Sequence, residues 1–169
     1  MTLTRRDWLA MACAAAGSLS TLPSLAAGST VKVTLWDRGA NSMRIPDHEN
    51  MMGMKGAGHH MPMSPMGMAV SRRSVPKGPV TFAVRNGSKT MVHEMVVAPV
   101  RDSTKQLPYD ASKMQVDEEA AGHLGEVADI EPGKAGTLTL DLKPGLYILY
   151  CNVPGHYVRG MWTLLTVKA

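Results

Sequence analysis

Residues 150–161 read YCNVPGHYVRGM, with four residues between Cys151 and His156 and four more between His156 and Met161. A thiol, an imidazole and a thioether share this short stretch, and Pro154-Gly155 turns the chain between the first two. Leu146–Cys151 is an apolar run of strand length, and residues 161–167 (MWTLLTV) form another on the far side. One tight loop between adjacent strands can therefore aim all three side chains at a single point.

The pattern of short strands continues outward. Val31, Val33 and Leu35 alternate with Lys32 and Thr34, and Val80, Phe82 and Val84 alternate up to the turn signal Asn86-Gly87. Residues 92–98 (VHEMVVA) are apolar and β-branched, and Pro99 closes them. Leu138, Leu140 and Leu142 alternate between the turns Glu131-Pro132-Gly133 and Lys143-Pro144-Gly145. Residues 101–129 are polar and mixed, with a short helix expected over Val116–Ala121. Six or so short strands punctuated by Pro and Gly predict an all-β sandwich without internal repeats.

The 169 residues are enough for one domain with a hydrophobic core. With 44% hydrophobic and 19% charged residues the composition is that of a globular protein. The net charge of +4 is modest, and the scattered lysines and arginines form no run suited to nucleic acid. Asp117-Glu118-Glu119 and Arg72-Arg73 read as solvated faces. Methionine is the unusual component, at 14 residues.

Residues 1–27 read as a cleaved export signal, and residues 28–169 as the single domain. Arg5 and Arg6 precede a weakly apolar run that ends in small residues, and that run is too short and alanine-rich for a membrane span. Thr4-Arg5-Arg6-Asp7-Trp8-Leu9 looks like a twin-arginine signal, with a general secretory signal as the alternative. Lipid attachment at Cys13 fits poorly, because Ala10 stands where such a signal wants Leu. Cleavage leaves Cys151 as the one thiol of an exported, periplasmic protein. An intrachain disulfide is then excluded, and a metal is the natural occupant.

Cys151, His156 and Met161 need a fourth partner. His93 is the histidine placed in a strand. His123 lies in a polar region, and His48, His59 and His60 lie in a segment without periodicity. A thiolate, two imidazoles and a weak thioether make the trigonal His2Cys set with axial Met of a blue-copper centre.

These residues carry a family resemblance. The Cys-x4-His-x4-Met spacing of Cys151, His156 and Met161, and the stretch from Asn86 to His93, resemble the cupredoxins, the plastocyanin–azurin superfamily. In loop length they are nearer to rusticyanin, auracyanin and sulfocyanin. The likeness covers about residues 31–38 and 68–169. It implies a Greek-key β-sandwich with one type 1 copper near one end. The family often has Asn, Asp or Ser after the first His, where this chain has Glu94.

Residues 39–68 form a long insert, read as a flexible Met/His-rich loop with eight methionines and three histidines. Thioethers suit Cu(I) and imidazoles suit Cu(II). Met51, Met52, Met54, His59, His60, Met61, Met63, Met66 and Met68 are therefore candidates for a second, weaker copper site.

The expected function is single-electron transfer between redox partner proteins through the His93, Cys151, His156 and Met161 copper site. The alternative is copper homeostasis or tolerance, with copper ions bound or buffered in the periplasm; the insert resembles segments of periplasmic copper-tolerance cupredoxins. An enzyme is not expected. A trinuclear oxidase centre needs histidines flanking the cysteine, and the neighbours here are Tyr150 and Asn152. No nucleic acid and no stable membrane insertion are expected.

Overall fold

The computed structural model describes residues 28–44, 51–53 and 64–169. The segment read as an export signal, and the middle of the insert, lie outside the described residues. Eleven strands are present among the described residues: β1 (Ser29–Asp37), β2 (Met66–Val70), β3 (Ser74–Pro76), β4 (Gly78–Asn86), β5 (His93–Val100), β6 (Tyr109–Asp110), β7 (Gln115–Val116), β8 (Gly125–Ile130), β9 (Ala135–Leu142), β10 (Gly145–Tyr150) and β11 (Trp162–Lys168). The single α-helix among the described residues is α1 (Glu118–Ala121), beside short 3-10 turns at Ala40–Arg44 and Tyr157–Arg159. The predicted all-β sandwich is borne out.

One sheet has the order β2-β1-β4-β9, with β1 antiparallel to β2 and parallel to β4. The other has the order β3-β11-β10-β5-β8, and β6-β7 form a separate hairpin. The first sheet buries one face only. Val31, Val33, Leu35, Val80, Phe82 and Val84 turn inward, while Lys32, Thr34 and Arg85 face water. That is the alternation legible in β1 and β4.

The second sheet is covered on both faces. Met95, Val97, Leu149 and Leu165 pack into the sandwich core. Val96, Ala98, Ile148, Tyr150 and Trp162 form a second apolar layer under Leu107, Val116, Ala121, Tyr157 and Val158. Strands covered on both faces need apolar residues at successive positions, so β5 from Met95 onward and β10 from Leu146 onward read as unbroken hydrophobic runs.

The insert differs from the expectation of a flexible loop over 39–68. Met66 and Met68 belong to β2, which pairs with β1 through Asp37↔Met66 and Leu35↔Met68, and both side chains lie in the sandwich core. Methionine fills an irregular core as well as Leu does, which the composition-based reading overlooked. Met51 and Met52 are likewise buried, in the second apolar layer. Gly53, at φ +84°, approaches the neighbouring loop so closely that a Cβ there would sit 2.5 Å from the carbonyl carbon of Lys105. Met54, His59, His60, Met61 and Met63 lie outside the described residues.

The expected helix over Val116–Ala121 is shorter and starts later. Val116 belongs to β7, and the helix begins after Asp117, whose Oδ1 accepts the N–H of Ala120 at 3.0 Å.

Candidate metal centre

Two connections at one end of the sandwich carry the predicted site residues. The first joins β4 to β5 and ends at His93. Asn86, fully buried, closes it: its Nδ2 donates to the carbonyls of Met91 (2.8 Å) and Ile130 (2.7 Å), and its Oδ1 accepts the N–H of Ser88 (2.8 Å). Ser88 Oγ then accepts the N–H groups of Thr90 and Met91. The turn is thus set by side-chain bonds to its own backbone, as short polar residues favour.

The second connection is the stretch 151–161 between β10 and β11. The N–H of Cys151 donates to the carbonyl of Met161 (3.0 Å), and that of Met161 to the carbonyl of His156 (3.2 Å). Gly155 holds φ +81°, and a side chain there would run into the Arg159 guanidinium. That guanidinium donates to the carbonyls of Gly155 (2.6 Å) and Met43 (3.0 Å), while Ser64 Oγ donates to the Arg159 carbonyl (2.7 Å). Arg159 therefore ties the loop to both flanks of the insert.

The two connections bring three donors together. His93 Nδ1 lies 3.2 Å from His156 Nδ1, and Cys151 Sγ lies 3.3 Å from His156 Nδ1. The imidazoles meet edge to face, with centroids 4.9 Å apart. All three donor atoms lie within 4.8 Å of one another, and all three residues are buried. Met161 is also fully buried, in the same core cluster as Cys151. His123, weighed as an alternative to His93, sits in a separate, largely exposed group with Glu118 and Glu126. His48, His59 and His60 lie outside the described residues.

Burial governs the protonation of the donors. It pushes the Cys151 thiol up to about 12, against the pull of the Glu94 and Val153 N–H groups. The Glu94 N–H lies 3.4 Å from Sγ. Burial pulls His156 down to about 4, helped by repulsion from His93 and Arg159. His93 is also lowered by burial, although Asp37 opposes this. Glu94 is raised to about 7 by burial and by the charges of Glu118, Glu126 and Asp129, against a hydrogen bond from the Asn152 backbone. Without a cation, two buried neutral imidazoles and a buried thiol face one another. A cation would release the thiol proton and take all three lone pairs. Two imidazole nitrogens and a sulfur suit a borderline-to-soft ion, and copper fits that set.

One residue escaped the sequence reading. Asp37, the last residue of β1, accepts a hydrogen bond from His93 Nε2 at 2.9 Å. The available signal was a lone carboxylate ending an alternating strand, which is weak without knowledge of the strand order.

No protein-family model matches the chain, and no curated protein matches it. Solved structures do. A reduced rusticyanin is similar at 19% identity and a TM-score of 0.53, over 84% of this chain and 81% of that one. Rusticyanin from Thiobacillus ferrooxidans is similar at 19% identity and a TM-score of 0.52, over 84% and 79%. Auracyanin from Roseiflexus castenholzii is 22% identical, with a TM-score of 0.46, over 60% of this chain and 88% of that one. At these identities the rusticyanin likeness is one of fold, and the fold of this chain is that of the cupredoxins.

Proposed function

We propose that this chain is an exported type 1 copper protein that passes single electrons between redox partners. The observation that carries the reading is the buried convergence of His93 Nδ1, His156 Nδ1 and Cys151 Sγ. Copper, when bound, supplies a one-electron couple. The chain supplies the rest. Cys151 would hold the ion through a strongly coupled thiolate, the two imidazoles would suit both oxidation states, and Met161 would be the weak fourth ligand. The interlocked connections hold these groups in place, so little rearrangement accompanies the transfer. Rusticyanin, whose fold this chain shares, is a copper protein. The flanks of Cys151, Tyr150 and Asn152, support a carrier rather than an oxidase. The Thr4–Leu9 pattern supports export to the periplasm. Among the described residues, no helix is long and apolar enough to cross a membrane.

Copper homeostasis is the second reading, and the composition of residues 54–63 (MKGAGHHMPM) favours it. Burial of Met51, Met52, Met66 and Met68 leaves Met54, His59, His60, Met61 and Met63 as the donors for a second, weaker site. Replacing those five should lower copper stoichiometry above one and leave the Cys151 site intact.

The test of the main reading is the visible spectrum of the mature protein with Cu(II). An intense thiolate-to-copper band in the wild type, absent in Cys151→Ser, is expected. Copper bound without that band would overturn the type 1 reading and favour storage.

A further inference from the structure

We propose that Asp37 is the positioning residue of the metal centre: its carboxylate holds His93 with Nδ1 free for the ion and, through its charge, favours Cu(II) over Cu(I). The inference rests on the copper reading above and adds to it a residue from outside the ligand loops. Asp37 ends β1 in one sheet, while His93 begins β5 in the other. Their contact therefore joins the two layers at the site.

The geometry is that of a built hydrogen-bond station. Asp37 Oδ2 lies 2.9 Å from His93 Nε2, with the two side chains 2% and 0% exposed. Asp37 Oδ1 accepts the N–H of Gly39 at 2.6 Å. Ser88, part of the turn that leads to His93, helps to lower the pKa of the carboxylate. A buried carboxylate with a donor on each oxygen is held fixed in its ionised form.

Two consequences follow for His93. The carboxylate is acceptor-only, so Nε2 must carry the proton, and Nδ1 is left as a lone pair facing Cys151 and His156. A backbone carbonyl could orient the ring equally well. A carboxylate also places a full negative charge one imidazole away from the ion, which makes the ring a stronger donor. The more highly charged ion gains more from that charge.

The experiment compares wild type, Asp37→Asn and Asp37→Ala. Asn keeps an oxygen acceptor at nearly the same volume and removes the charge. Cu(II) affinity should fall roughly 10–100-fold in Asp37→Asn, with a smaller fall for Cu(I). Each tenfold change in that ratio raises the reduction potential by about 59 mV. Equal losses for both ions, or none, overturn the charge argument. In the metal-free wild type, nitrogen NMR should show His93 with its proton on Nε2; a proton on Nδ1 overturns the positioning role. That measurement needs no variant, so it stands even if a substitution fails to fold. Failure of the copper reading is separable: a wild type without the Cys151-dependent band contradicts that reading, while the His93 tautomer still tests Asp37.

Discussion

The Nδ1 atoms of His93 and His156 lie 3.2 Å apart, inside a site where the third donor is a thiol. Two cations cannot share that space, so the metal-free protein must keep its imidazoles neutral. The folded value of His156, about 4, lies below the ordinary 6.5. The unfolded chain therefore binds more protons between those values, and stability falls as pH drops through that window. His93 is lowered too and acts with the same sign. Glu94, raised to about 7, acts with the opposite sign over the same range, so the test uses Glu94→Gln: denaturant titrations of that metal-free variant should show a stability lower at pH 4 than at pH 7 by about 3 kcal/mol. Equal stabilities at both would contradict the buried neutral pair.

Cys151 is fully buried, with its thiol pushed up to about 12. The thiolate is the reactive form. Metal-free protein at pH 8 should therefore resist alkylation until denaturant is added. Labelling of the folded protein at the rate of a free peptide thiol would show that the loop does not enclose the sulfur.

Met161→Leu conserves volume and should change stability by less than about 1.5 kcal/mol. If the thioether is the weak ligand, the substitution leaves the thiolate band in place but shifts its position and the potential. An unaltered spectrum would make Met161 a core residue only.

Met52 is 2% exposed in the second apolar layer. Met52→Ala should cost about 2–5 kcal/mol and leave copper stoichiometry unchanged. A drop in stoichiometry with unchanged stability would return Met52 to the set of copper donors.

Arg159→Met retains the aliphatic stem and removes the bonds to the Gly155 and Met43 carbonyls. Bonds from a charged donor contribute about 1.5–3 kcal/mol, and a melting curve should show a loss of that order. Copper should also dissociate faster, because the loop bearing His156 loses its tie to Met43 and keeps only the Ser64 bond to the insert.

The sequence made some of this legible and concealed the rest for physical reasons. In β1 and β4 the alternation was visible because one face of their sheet meets water. The Cys151–Met161 spacing was visible because one loop carries all three groups. Strand β2, with the sequence MGMAV, was hidden among methionines. It lacks β-branched residues except at Val70, and Gly67 is there for the Trp36 ring, which a Cβ would approach to 2.8 Å. Strand β8 was hidden because, at the edge of its sheet, it buries only Ile130 and its GEVADI sequence shows no regular apolar alternation. The partnership of His93 with Asp37 depends on which strands become neighbours in space, and spacing along the chain does not encode that.

The depth of the centre separates two kinds of traffic. With His93, Cys151 and Met161 at 0% exposure and His156 at 3%, no ion can reach the donors while both connections are closed. Exchange of the metal is then gated by local opening of that end of the sandwich. On the copper reading proposed above, electrons would need no such opening. Hydrogen-exchange rates of the amides in 86–93 and 151–161 should therefore set the ceiling on how fast a chelator can strip the ion. A copper carrier built this way would turn over many electrons for each ion it lost.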